Sequence, residues 1–211
     1  KIWFPFSYDF VRRTYRITGG SLSALEHLLD KEHPKKVAGN LAGGTHHAFH
    51  NRGEGYCIFN DIAVCSNFAL HNEKSTNLNK VNRVIVLDFD VHQGNGTASM
   101  LNDNPATFTF SIHGEKNYPW KSRVLGDYDV GVEDDITEKD YLDVCRNSLD
   151  KVSELLLQTP LDYYNNNSEI KDLIIYQAGV DALKSDRLGR LKMSRETLQE
   201  RNEIVYNWCK N

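Results

Sequence analysis

The chain has four cysteines, Cys57, Cys65, Cys145 and Cys209, and none forms a Cys-x-x-Cys pair. That excludes a zinc ribbon and a thioredoxin-type redox motif. No stretch of about 18 apolar residues occurs, so no membrane-spanning helix is expected. Excess positive charge is lacking too: 25 Lys and Arg stand against 29 Asp and Glu, a net charge of −4. This argues against a general nucleic-acid or polyanionic-membrane binder, though not against a locally charged site. Gly53-Glu-Gly55 and Gly94-Asn-Gly96 do not complete Gly-x-Gly-x-x-Gly, because Ile58 and Ser99 occupy the third position. Neither runs into Gly-Lys-Ser/Thr, so neither is a phosphate cradle. No Gly-x-Ser-x-Gly elbow is present, which disfavours a serine nucleophile of the α/β-hydrolase kind. There is no internal repeat and no firm domain boundary. Residues 1–211 read as one domain, with 26% charged and 40% hydrophobic residues, ordinary for a soluble globular chain. With no secretory leader at Lys1, the thiols are expected to be reduced in a cytoplasmic or nuclear compartment. The missing Met suggests a piece of a longer protein.

What is present centres on Arg83-Val-Ile-Val-Leu-Asp-Phe-Asp-Val-His-Gln-Gly-Asn-Gly96. A β-branched apolar run turns acidic and then Gly-rich, the pattern of a buried strand delivering polar groups at its C-terminal end. If strand geometry persists, Asp88, Asp90 and His92, two apart, share one face and could start a metal site. The alternative is a polar loop bonding its own backbone. A second apolar run, Asp172–Gly179, reads as another buried strand ending near Asp181. Ala106–His113 alternates and reads as a further strand, and Gly114–Asp135 as a long loop.

Helices are expected after Gly19-Gly20 with Ser23–Glu26 as capping box, from Asn60 or Asp61, over Glu138 to about Gln158, and from a Ser194 cap. Lys1–Tyr15 reads as aromatic and irregular, and Pro160–Glu169 as a polar connection. Strand–helix alternation favours a parallel α/β sheet, whose ligands sit at the carboxyl ends of its strands.

Asp90, His92 and Asp181 then form a candidate ligand trio that leaves a position for water, as a catalytic zinc requires. Carboxylate-rich donors also suit Fe(II) or Mn(II). An Asp following Gly at a strand end can equally be a helix cap. His46 and His47 can present one neutral and one protonated imidazole to the same cleft; otherwise they are loop histidines on the surface, the assignment given to His50 and His113, with His33 and His71.

Gly43-Gly-Thr-His-His47, Gly53-Glu-Gly-Tyr-Cys-Ile-Phe-Asn-Asp61, Asp88-Phe-Asp-Val-His-Gln-Gly-Asn-Gly96 and Ala178-Gly-Val-Asp181 occur in the order found in the zinc-dependent histone deacetylase superfamily. That group includes acetoin-utilisation proteins and acetylpolyamine amidohydrolases. The third motif, with Ser185-Asp-Arg-Leu-Gly-Arg190, resembles the class IV branch and its bacterial relatives most, and the resemblance runs from about Gly39 to Met193. It implies the arginase–deacetylase fold, a three-layer parallel sheet flanked by helices on both faces. It implies that Asp90, His92 and Asp181 bind Zn²⁺, with Fe²⁺ an alternative. His47 would be the general base and acid, paired with Asn95, and His46 its partner, bonded to Asp88. Gly55, Tyr56 and Tyr118 would line a narrow acyl-lysine channel. Asp88, Asp90, His92 and Ser111 would surround a structural K⁺. The substrate would be an N-acyl amine, an ε-acyl-lysine of a histone or other protein or an acetylated small amine. The resemblance also implies a first strand and helix ahead of Lys1, and an oxyanion-stabilising tyrosine beyond Asn211. A truncated deacylase that only binds acyl-lysine or a partner, and an arginase-like dimanganese hydrolase, are the competing readings.

Overall fold

The computed structural model describes residues 2, 5–32, 36–72, 76–158 and 171–210. Four strands form one sheet in the order β3-β2-β1-β4: β1 is Arg83–Asp88, β2 Thr107–Gly114, β3 Tyr128–Val132 and β4 Asp172–Gln177. Every pairing is parallel, and the register sets Asp88 beside Ser111 on one side and Gln177 on the other. Parallel neighbours need crossovers; helices lie in those from β1 to β2 and from β3 to β4, whereas β2 reaches β3 through residues 115–127 without a helix.

The pleat of β1 divides the interior in two. Ile85 and Leu87 enter one core with Phe108, Phe110, Ile112 and the buried faces of α4 (Glu138–Gln158) and α5 (Arg195–Trp208). Val84 and Val86 enter the opposite core with α1 (Tyr8–Leu29) and α2 (Asp61–His71). Both faces of the strand are covered, which is why its sequence is continuously apolar. Helices thus cover both faces of a parallel sheet in three layers, the arrangement that the resemblance implies. In α4, Tyr141, Cys145, Leu149 and Val152 are buried, with Leu156 packed beside them. Ser194 caps α5, its Oγ accepting from Thr197 N at 3.2 Å.

Three expectations need correcting. Helix α1 begins at Tyr8, not after Gly19-Gly20. Ser7 Oγ accepts from Phe10 N at 3.0 Å and starts the helix, so much of the aromatic segment is helical. Two interior glycines cost roughly 1 kcal/mol each against alanine, and the burial of Leu25 and Leu29 carries the helix through them. Strand β3 lies inside the stretch expected to be loop; it is five residues long and contains Asp129 and Gly131, too short and mixed to show a period. Strand β2 forms where it is expected, and its polar residues Thr107, Thr109 and Ser111 are buried; Thr107 Oγ1 donates to Leu101 O of helix α3 (Asn95–Leu101) at 2.6 Å. Strand β4 is only partly buried, with Leu173 its one fully buried residue, because among the described residues it pairs with β1 alone. The polar connection at 160–169 lies outside the described residues. No described helix is long and apolar enough to cross a membrane.

Candidate metal centre

Strand geometry ends at Asp88, so the three acidic and imidazole side chains do not share a strand face. Turns gather them instead. Asp88 Oδ1 accepts from Asp90 N at 3.0 Å, and Asp90 Oδ1 accepts from His92 N at 2.9 Å. Each carboxylate folds the backbone two residues on, as Asp does in tight turns.

Asp181 arrives from the loop after β4. Its Oδ1 accepts from Val91 N at 3.0 Å, and its Oδ2 lies 2.9 Å from His92 Nδ1. It caps no helix, since α5 begins only at Arg195. The approach depends on Gly179: a Cβ there would sit 2.5 Å from Asp90 Cα.

One donor atom from each of Asp90, His92 and Asp181 lies within 4.8 Å of the others. Two carboxylates and one imidazole, partly buried, make a donor set that fits a divalent cation. The electrostatics agree. Burial opposes charge on His92, but its hydrogen bonds to Asp181 and Asp90 outweigh burial and push it up to about 10. The carboxylates draw positive charge to this point.

The two tandem histidines lie above this trio, and both are buried. Their rings are 4.1 Å apart, and the His47 ring is 5.9 Å from that of His92. His46 Nδ1 donates to Asp88 Oδ2 at 2.6 Å, and His47 Nδ1 is 2.8 Å from Asn95 Oδ1. Their environments separate them. Burial disfavours the His46 cation, yet Asp88 and Asp90 overcome this and raise its pKa to about 9. His47 is lowered to about 3, by burial first and then by its charged neighbour, against the bond to Asn95.

The loop bearing the pair is held by α2. Asn60, its N-cap, donates from Nδ2 to His46 O at 3.2 Å and to Ala48 O at 3.3 Å. Asp61 accepts from Gly44 N, Thr45 N, Thr45 Oγ1 and Ser21 Oγ.

The expected channel residues are divided. Tyr118 stands edge-on to His47, ring centroids 5.0 Å apart at 86°. Gly55, at φ +51°, lies against His47, where a Cβ would be 2.3 Å from Cδ2. Tyr56 is 46% exposed and lines a cavity of about 420 Å³ with Ile17, Phe59 and Leu188. Ser111 is buried opposite Asp88, its Oγ 3.0 Å from His113 Nδ1. That bond corrects the reading of His113 as a surface residue, because it is buried on β2 and its pKa is lowered by burial to about 4. His50 and His71 are exposed as expected, and His33 lies outside the described residues.

Arg201 escaped the reading from sequence. It is fully buried on α5, and its Nη1 donates to Phe89 O at 3.2 Å and to Gly179 O at 2.8 Å. One guanidinium therefore ties the tip that carries Asp90 to the tip that precedes Asp181. Its signal was an arginine on the apolar stripe of Leu198 and Val205. Replacing Arg201 by leucine strands two buried carbonyls, and we expect a loss of about 3 kcal/mol in urea unfolding.

Residues 3–211 match the family described as "Histone deacetylase domain". The chain is 36% identical over 210 residues to an uncharacterized protein of Picosynechococcus, covering 99% of this chain and 62% of that one. It is 32% identical to histone deacetylase 2 of Arabidopsis thaliana over 173 residues, covering 81% of this chain and 40% of that one. It is 29% identical to the acetoin utilization protein AcuC of Bacillus subtilis over 208 residues, 92% of this chain and 48% of that one. The solved structure of an HDAC homolog from Aquifex aeolicus superposes with a TM-score of 0.78 at 24% identity, covering 97% of this chain and 52% of that one. The chain thus spans less than two thirds of the length of these relatives.

Proposed function

Because this chain belongs to the histone deacetylase family, we propose that the protein containing it hydrolyses N-acyl amines, most readily an ε-acyl-lysine of a histone or other protein or an acetylated small amine. The observation that carries the reading is the junction of the Asp90–His92–Asp181 donor set with two buried imidazoles whose pKa values are driven apart. Asp90, His92 and Asp181 would hold a divalent ion, Zn²⁺ by preference or Fe²⁺. Such an ion, when bound, polarises an acyl carbonyl and acidifies a water.

The rest is the work of this chain's side chains. At neutral pH His47 is uncharged; with Nδ1–H bonded to Asn95 Oδ1, its Nε2 lone pair can take a proton from the attacking water. It returns that proton to the leaving amine. His46 stays protonated beside Asp88 and supplies fixed positive charge where the carbonyl oxygen becomes negative. Tyr118 and Gly55 flank His47 and would guide the acyl-amine stem, with Tyr56 at the outer rim. The position of Ser111 opposite Asp88 supports a structural K⁺ behind the site. A single donor cluster among the described residues favours one catalytic metal over two.

The test is release of acetate by the metal-loaded full-length protein from an acetyl-lysine peptide and an acetylated polyamine. Turnover of at least one is expected. Binding of both without turnover would favour the non-catalytic acyl-lysine binder.

The charge on His46 carries a pH prediction. Asp88→Asn removes the carboxylate that raises His46 most. His46 then loses its proton nearer neutrality. Its positive charge, which assists attack on the carbonyl, is lost at lower pH, so the basic limb of the kcat/KM profile moves down from about 9. The acidic limb does not move up, because His46 is still charged where His47 takes up its proton. An unmoved basic limb would mean that the charge on His46 does not assist turnover.

A further inference from the structure

Glu54 belongs to none of the roles above, yet it is 8% exposed and packed with polar partners. Its Oε1 accepts from Asn95 Nδ2 at 3.0 Å, from Tyr118 OH at 2.9 Å and from Ser122 Oγ, and its Oε2 accepts from Arg52 Nε at 3.3 Å. Burial would raise its pKa, but the hydrogen bonds from Ser122, Tyr118 and Asn95 hold it below the usual range. It is a buried anion with satisfied partners, placed behind the residue that holds His47.

We propose that Glu54 is a positioning residue that fixes the tautomer of His47 through Asn95. The logic is one of donors and acceptors. A carboxylate can only accept. Asn95 must therefore turn its NH₂ toward Glu54, and the second amide hydrogen goes to Ser122 O at 2.9 Å. That leaves Asn95 Oδ1, and nothing but an acceptor, facing His47 Nδ1 at 2.8 Å. Nδ1 then has to carry the proton, and Nε2 is left free as the base. Asn95 itself is 0% exposed, so no solvent offers an alternative partner. An asparagine is ambiguous because its two ends look alike in size. The Glu54 carboxylate removes the ambiguity, and its charge polarises the amide so that Oδ1 becomes the stronger acceptor. A carboxylate at position 95 would need no such help. Glu54 thus lets a neutral Asn95 do part of the work of an anion. The same oxygen anchors Tyr118, so the channel wall and the base share one support.

The inference rests on the deacylase reading only for its kinetic arm. With metal content matched, E54Q should lower kcat roughly tenfold to a hundredfold, with KM changing less than kcat. N95D alone sets a second carboxylate beside Glu54 and should lose at least as much. E54Q/N95D restores a single anion in the chain and should recover most of the lost kcat. A merely structural role for Glu54 would make the double variant no better than the worse single one, and that outcome, or a wild-type kcat in E54Q, overturns the proposal. The ¹⁵N shifts of labelled His47 provide a readout independent of turnover. They should report a protonated Nδ1 in the wild type and mixed tautomers in E54Q. If wild-type protein does not turn over, the deacylase reading fails, while these shifts still decide the role of Glu54. Should E54Q not fold, a wild-type His47 protonated at Nε2 would be equally fatal to the proposal.

Discussion

His47→Ala in the full-length protein is expected to leave one metal ion per chain and to lower kcat by about 10³, the range set by loss of a positioned general base and acid. Metal survives because the His47 ring stands 5.9 Å from that of His92 and supplies none of the three donors. Turnover falls because no other group takes its place. His46 is 4.1 Å away but is held protonated by Asp88, with a pKa of about 9, and so has no lone pair to offer at neutral pH. Tyr118 also lies beside His47, but its hydroxyl is bonded to Glu54 and burial pushes its pKa above the ordinary range, so it remains a phenol. The check is a pair of measurements on one sample, bound metal by mass spectrometry and acetate release from an acyl-lysine peptide. Loss of metal together with turnover would assign His47 to the donor set and refute its role as base.

The second large effect concerns Asp90. Asp90→Ala removes a donor that His46 and His92 hold well below the usual carboxylate range despite its burial, and so keep ionised. Two donors remain, fewer than the three protein ligands of a catalytic zinc site. We expect stoichiometric metal to disappear and turnover with it. The variant also breaks the turn in which Asp90 Oδ1 receives His92 N. Asp90→Asn retains an acceptor for that turn and removes the charge, which separates the two consequences. It should keep its fold and still lose the metal. Stability offers a second readout. An ion present at about 1,000 times its Kd stabilises a folded site by about 4 kcal/mol through linkage. Zinc should therefore raise the melting temperature of the wild type and leave that of both Asp90 variants unchanged. A zinc-dependent rise in Asp90→Asn would show that the ion binds elsewhere.

Much of this architecture can be read from local pattern. Strand β1 declares itself because both its faces are buried, α4 because its apolar residues recur with the helical period, and the caps at Asn60 and Ser194 because their oxygens have few other uses. Strand β3 was hidden by its length and by Gly131. The start of α1 was hidden because an aromatic-rich segment shows no clean stripe until it has a partner to pack on. In the site, the residue types were legible and their geometry was not. Asp88, Asp90 and His92 converge through turns rather than a strand face, and only tertiary packing brings Asp181 to them across 90 positions of sequence. Arg201 and Glu54 stayed invisible for a related reason. Each acts on backbone or side chains far away in sequence: Arg201 belongs to no motif, and Glu54, though inside the Gly53–Asp61 motif, has partners at 95, 118 and 122 that only the fold brings to it.

Everything turns on a cation shared by two loop tips. The direct measurement is anomalous diffraction at the zinc edge from crystals of the zinc-loaded protein. One peak per chain is expected, within bonding distance of carboxylate oxygens of Asp90 and Asp181 and of a ring nitrogen of His92. A peak bonded elsewhere, or no peak near these three residues at full zinc loading, would contradict it.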